Sequence, residues 1–394
     1  ADTAANGGTD GDFITKSASQ TISGTLSANL ATGETVQVSL DGGTTWTAAT
    51  AAAGQNSWSL SGQTLTGSNT LQVKVADNVG NDGSVYSQAY VLDTTAPTTS
   101  IATATFSADS GTGGDWITKS ASQTISGTLS ASLAAGETVY VSLDGGTTWK
   151  TATTGQNSWS LADQTLTGSN TLQVKVTDAA GNDGSVYSQA YVLDTTAPTA
   201  SIATAAFSAD SGTGGDFITS TANQTISGTL STSLAAGETV QVSLDGGTTW
   251  KAATVTAGQN SWSLSGQTLT GSNTLQVKVT DLAGNEGSVY SQAYVLDTTA
   301  PTVTIGAIST DDKLDETEIG SALTISGTAS GAEDGQTVTV GLNGQTYTGT
   351  VVSGAWSVTV GKDVLGALIN QPYTVTADVS DRAGNAASQA TRGL

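Results

Sequence analysis

The chain has 394 residues, with 33 Asp+Glu against 11 Lys+Arg and a net charge of −22, so nucleic acid and anionic lipid are excluded as partners and cations are expected. With no Cys, His or Met, disulfides are impossible and zinc, copper and haem lose their usual ligands. Charged residues make up only 11% and hydrophobic ones 37%, which argues for folded modules over an acidic disordered tail. No apolar run is long enough to span a bilayer and "ADTAANGGTD" has no signal-peptide pattern, so the reading is a soluble chain without membrane insertion.

Along the chain the same words recur. "SLDGGTTW" ends at Trp46, Trp149 and Trp250, "NSWSL" centres on Trp58, Trp159 and Trp262, and "VLDTTAPT" occupies 91–98, 192–199 and 295–302. A divergent fourth copy keeps "LTISGT", "GAWSV" and "DRAGN". A period of 101 to 103 residues suits an independent small domain, not a solenoid turn. Four domains are predicted, at 1–95, 96–196, 197–299 and 300–394.

Within the second copy the elements follow by alternation of apolar and polar residues. "TTSIATATFSA" (98–108) is a first strand and "QTISGTLS" (123–130) a second; "ETVYVSLD" (137–144) and "TWKTAT" (148–153) form a hairpin across Asp-Gly-Gly, residues that accept positive φ. "SWSLA" (158–162), "NTLQVKVTD" (170–178) and "SVYSQAYVLD" (185–194) complete the set. About seven short strands in roughly 100 residues predict an all-β immunoglobulin-like sandwich, repeated four times in tandem as an elongated rod, with an up-and-down barrel as the alternative. Both sets of Trp are expected in the cores, against a reading as sugar-stacking platforms, and Trp116 is expected at a domain junction.

Antiparallel alternation then gives each loop an end. The lower loop after the first strand carries Asp109 and Asp115, and the last strand ends at the same end, at Asp194. The upper loop before the last strand carries Asp178, Asn182 and Asp183, and Glu137 lies at that end too. Matching positions are Asp12, Asp77 and Asp93 in the first copy, Asp210, Asp216, Asp281, Asn285, Glu286 and Asp297 in the third, and Asp315, Asp381 and Asn385 in the fourth. The altered first lower loop leaves Asp2 and Asp10 as uncertain counterparts. The bottom of one repeat is expected to face the top of the next, bringing Asp109, Asp115 and Asp194 toward Asp281, Asn285 and Glu286. Carboxylates so gathered repel unless neutralised, and a donor set of oxygens without His or Cys fits Ca2+ better than Mg2+ or Zn2+. "VLDTTAPT" becomes a strand end, a ligand and a short linker stiffened by Pro.

"DTTAPT" at the joints, "DSGTGGD" in the lower loop, "SLDGGTTW" in the hairpin and the Asp-x-Ala-Gly-Asn upper loop resemble the tandem bacterial Ig-like repeats of giant adhesins, the RTX and biofilm-associated surface proteins exported by type I secretion. The resemblance implies an extracellular extender on the bacterial cell surface. Ca2+ bound near Asp115, Asp194 and Asp281 and at the matching positions would stiffen it, so that it holds a distal ligand-binding module away from the cell. The expected partners are calcium ions and neighbouring repeats of a monomeric chain. Direct binding of glycan or ice by the same surface protein is the alternative; an enzyme is not expected, because the acidic residues recur at joints and do not converge on one cleft.

Overall fold

The computed structural model describes residues 2–3, 11–256, 258–368 and 371–394. The chain divides into two compact units, Ala1–Thr195 and Thr196–Leu394. Each unit holds two separate hydrophobic cores, one per repeat. No helix is long and apolar enough to cross a membrane, and the one described helix is the short Lys362–Leu365 segment of the fourth repeat.

The second repeat shows how the pattern folds. One sheet joins Ile101–Phe106, Ser122–Leu129, Ser158–Thr165 and Thr153–Thr154; the other joins Ile117–Thr118, Tyr187–Leu193, Asn170–Thr177, Thr138–Ser142 and Lys150–Thr151. Two distinct sheets, not one closed ring, make this a sandwich. Alternate residues of each strand point inward, so Ile125, Val139, Leu172, Val174 and Val176 are wholly buried. Each such aliphatic side chain contributes about 1.5–3 kcal/mol by leaving water. "TWKTAT" changes sheets midway: Lys150–Thr151 pairs with Tyr140 and Val141, Thr153–Thr154 pairs with Ser160 and Trp159, and the buried Ala152 marks the crossing.

Alternation did not reveal the short strand Ile117–Thr118, which pairs parallel to the last strand through Ile117↔Val192 and Thr118↔Leu193. A two-residue strand inside a glycine-rich loop carries no periodicity to read. It nevertheless fixes the lower end, because it ties the lower loop to the end of the last strand. Gln123, 2% exposed, holds the loop from inside, accepting from Ala108 N–H at 3.0 Å and donating to the Ala108 and Ser120 carbonyls at 2.9 and 2.8 Å.

The Trp residues separate into two populations. Trp58, Trp159, Trp262 and Trp356 lie in the cores. Trp46, Trp149 and Trp250, expected there too, are half-buried on the surface. Their indole N–H groups donate to the carbonyls of Gly43, Gly146 and Gly247 within the same turn, and the ammonium groups of Lys74, Lys175 and Lys278 stand 4.2, 4.4 and 4.0 Å from their rings. Trp116, expected at a junction, instead turns into its own repeat, edge-on to Phe106 at 4.8 Å between centroids.

In the first repeat the equivalent of the four-stranded sheet has three strands among the described residues, Ser19–Thr25, Ser57–Thr64 and Thr50–Ala51. The fourth repeat keeps the sandwich with Thr302–Val303, Leu323–Ser330 and Ala355–Val360 facing Gln345–Thr350, Thr337–Leu342, Thr374–Asp378 and Ala390–Gly393.

Candidate metal centres at the repeat ends

The lower loop of the second repeat sets backbone N–H groups around two aspartates. Asp115 Oδ1 accepts from Ile117 N–H at 2.9 Å and Asp109 Oδ2 from Gly114 N–H at 2.6 Å. The turn between them forces Trp116 to φ 63°, a conformation non-glycine residues seldom adopt. Its cost is offset by the ring's burial and by Val192 N–H donating to the Trp116 carbonyl at 2.8 Å. Asp194 is brought to the same end, its N–H donating to the Thr118 carbonyl at 2.9 Å.

One oxygen in this cage has no partner. Asp109 Oδ1 is buried without a hydrogen bond, and the same holds for Asp210 Oδ1 in the third repeat and Asp2 Oδ1 in the first. Asp2 therefore takes the part of Asp109, its Oδ2 accepting from Gly11 N–H at 2.7 Å; Asp10 lies outside the described residues. A buried carboxylate oxygen is an acceptor that must be satisfied at some cost. Among the described residues no side chain does so in any of the three copies. Asp12 and Asp216 repeat the Asp115 bond, to Ile14 and Ile218 N–H at 2.9 Å, and Asp93 and Asp297, just past the last strands, donate their N–H groups to the Thr15 and Thr219 carbonyls at 2.9 and 3.0 Å.

The upper loops are built differently. Asp178 accepts from Asn182 twice, backbone N–H and side-chain amide, each at 2.8 Å. Asp281 with Asn285 and Asp381 with Asn385 repeat the arrangement. In the first repeat Asn81 does the same for Asp77 and holds its carboxyl below the usual range.

Inside each compact unit a lower end meets an upper loop, as the strand directions require. In the first unit, Asn182 donates its amide to the Asp93 carbonyl at 2.8 Å, Thr3 its hydroxyl to the Ala180 carbonyl at 2.8 Å, and Lys16 its ammonium to the Gly181 carbonyl. In the second unit, Asn385 donates to the Asp297 carbonyl at 2.9 Å, Ser211 to the Ala383 carbonyl at 2.5 Å, and Arg382 pairs with Asp216 at 3.2 Å. The backbones are so close there that a Cβ on Gly212 would stand 2.0 Å from the Arg382 carbonyl.

Four of the sequence-derived positions sit on other partners. Asp183 and Glu286 pair with Lys175 and Lys278 at 2.8 and 2.6 Å, the same lysines that cover Trp149 and Trp250. Burial raises the Asp183 carboxyl, but Lys175 and Thr177 hold it below its ordinary value. Glu137 accepts from Ala134 N–H within its own loop, and Asp315 caps the Thr317 and Glu318 N–H groups. Among the described residues no three carboxylates come close enough to hold a metal ion: Asp109, Asp115 and Asp178 bond N–H groups of their own loops, Asp183 and Glu286 pair with lysines, and Lys16 and Arg382 bring protein cations into the joints. Sequence reasoning missed both cations, although Arg382 stands in plain view inside "DRAGN". It also cast Asn182 and Asn385 as oxygen donors, whereas both amides use their N–H groups to staple two repeats.

Residues 95–195 and 196–298, just over half of the chain, match the bacterial Ig-like domain. The chain belongs to the bacterial Ig-like domain family. No curated protein matches it. Among solved structures, these Ig-like domains are similar to a Ca2+-stabilized adhesin that helps an Antarctic bacterium reach out and bind ice, at 28% identity over 96% of this chain and 94% of that one, TM-score 0.29. A 1.5-MDa bacterial ice-binding adhesin, in a structure concerned with its host cell surface retention, gives 25% identity over 74% and 96%, TM-score 0.29. A bacterial immunoglobulin-like domain from the M. primoryensis ice-binding adhesin gives 40% identity over 24% and 93%, TM-score 0.20. Superposition scores of this size carry no structural argument, and the family assignment rests on the domain match. What the Ig-like frame contributes is placement: it sends lower loop, linker and upper loop to the ends of a sandwich, where domains follow one another.

Proposed function

We propose that the chain is an extender of a bacterial cell-surface adhesin, a structural and non-catalytic stretch of Ig-like domains stiffened by Ca2+ outside the cell. The observation that carries the reading is the buried Oδ1 on Asp2, Asp109 and Asp210, which no described protein donor reaches and which a hard cation would satisfy. Asp12 and Asp93 would share the first site, Asp115 and Asp194 the second, and Asp216 and Asp297 the third. Asp178 and Asp381 stand in the upper loops that meet the first and third. Bound there, Ca2+ would supply charge neutralisation and six to eight oxygen bonds between a lower loop, a strand end and the following linker. The protein's own part is to keep those oxygens preorganised, through Gln123 and its counterparts Gln20 and Gln224 beneath each loop.

The similarity to adhesin chains supports a cell-surface setting, and domains repeated in tandem suit a spacer. Calcium titrated calorimetrically into chelator-treated chain tests the reading, with Mg2+ as the control. Uptake of Ca2+ in preference to Mg2+, with a narrowed distribution of interdomain distances by small-angle scattering, is expected. A chain that takes up no Ca2+ at millimolar concentration would overturn it.

A further inference from the structure

In each compact unit a protein cation reaches from one repeat to the next, but the two come from opposite sides of the joint. In the first unit it is Lys16, just beyond Asp12 in the lower loop, whose ammonium donates to the Gly181 carbonyl of the upper loop. The residue that follows Asp178 in that upper loop is the uncharged Ala179. In the second unit the position of Lys16 is taken by Ser220, and the residue that follows Asp381 is Arg382. The charge has changed sides, and with it the group that is neutralised.

Lys16 spends its charge on a carbonyl: among the described residues Asp12 accepts from Ile14 N–H and forms no ion pair. Arg382 goes to a carboxylate. Asp216 Oδ1 accepts from Ile218 N–H at 2.9 Å and its Oδ2 stands 3.2 Å from the Arg382 guanidinium, so both oxygens are engaged. Asp210, in the same loop, keeps its buried Oδ1 without a partner. The backbone holds Arg382 against this loop: its carbonyl lies 2.0 Å from where a Cβ on Gly212 would stand, Ser211 donates to the next carbonyl, that of Ala383, and Arg382 N–H donates to Glu333 at 2.9 Å. The Arg382 side chain is nonetheless 47% exposed, so its guanidinium has room to swing into water while those backbone contacts stay in place.

We propose that Arg382 is a built-in competitor for the cation at the third lower loop, an inference that rests on the Ca2+ reading of Asp210, Asp216 and Asp297. A divalent ion that takes Asp216 must displace the guanidinium, and the positive charge left nearby repels it. The third site therefore fills at a higher Ca2+ concentration than it would with the alanine that the second repeat carries at this position. Calorimetric Ca2+ titration of the intact chain tests this, parent against Arg382→Ala, with the same substitution repeated on Asp210→Asn. Arg382→Ala should raise the affinity of one Ca2+ site at least about tenfold, and should change nothing on the Asp210→Asn background, where that site has lost its buried carboxylate oxygen. Arg382→Lys, which keeps a positive charge, should restore most of the weaker binding. In chelator, Arg382→Ala should unfold at nearly the parent's urea concentration, because a half-exposed ion pair contributes little. Affinities unchanged by Arg382→Ala overturn the inference and leave the Ca2+ reading standing. A gain that persists on Asp210→Asn overturns it as a charge effect on other sites, and a large loss of stability in chelator overturns it by making Arg382 a structural staple. A parent and variants that all take up no Ca2+ overturn both the inference and the reading beneath it.

Discussion

Replacing Asp210 by Asn separates a metal ligand from a loop-building residue, because the two roles predict opposite dependence on Ca2+. Asp210 Oδ2 accepts from Gly215 N–H at 2.7 Å and from Phe217 N–H at 3.4 Å, bonds an amide oxygen reproduces, while Oδ1 is buried with nothing opposite it. Without Ca2+ the substitution removes an unpaired buried charge and leaves the loop bonded, so the melting temperature of the third repeat should hold or rise. With free Ca2+ at about 100 times Kd, the parent site gains about 2.7 kcal/mol that the variant lacks. For a domain of about 100 residues, where 1 kcal/mol moves the transition by roughly 4–8 °C, the lost increment is about 10–20 °C. Differential scanning calorimetry of parent and Asp210→Asn, each in chelator and in Ca2+, reads this directly, with the other repeats as internal reference. A variant that keeps the full Ca2+ response, or that loses as much stability in chelator as in Ca2+, refutes the assignment.

Other expectations follow from single contacts. Asn385→Ala removes the amide that joins the Asp297 carbonyl to the buried Asp381 carboxylate, and should cost about 1–3 kcal/mol in urea unfolding of the second unit; Asn81→Ala, whose amide reaches only exposed Asp77 oxygens, should cost less than half as much. Gly127→Ala places a Cβ 1.9 Å from the Thr103 carbonyl and 2.9 Å from Trp159, so the first strand must shift and roughly 1–3 kcal/mol or more is lost, whereas Gly24→Ala meets only the Trp58 ring and should be milder in thermal melts. In the fourth repeat the Arg392 guanidinium holds the Asp312 carboxyl at about 2, from an ordinary 3.8. A depressed carboxyl stabilises the fold above its unfolded value and loses that contribution as pH falls through its folded value, so the difference between parent and Asp312→Asn in acid titrations followed by circular dichroism should close between these two values.

How much was legible depended on whether an element advertises a period. The long strands did: Asn170–Thr177 and Ser122–Leu129 fall where alternation puts them, and Tyr187–Leu193 lies within "SVYSQAYVLD". The parallel Ile117–Thr118 strand did not, being too short to alternate, and the surface Trp149 misled because "TTW" reads like a strand end while its ring is needed to close a turn under Lys175. The ends of the sandwich followed from strand direction alone, which is why Asn182 and Asp93 meet.

Carboxylate direction was the part no spacing could give. Asp109 and Asp183 read alike as acidic residues in glycine-rich loops, yet one buries an oxygen without a partner and the other is held by Lys175 and Thr177. The difference is set by residues remote in sequence: a lysine eight positions back on a neighbouring strand in one case, and in the other a glutamine fourteen positions on that closes the loop from beneath. The acidic count therefore overstates the candidate ligands, and burial without a partner sorts them. On the proposed reading the lower loops hold the ion and the upper loops staple, so removing the Asp109 oxygen should remove the Ca2+ dependence of the second repeat alone, while removing the Asn182 amide should weaken the joint whether or not Ca2+ is present.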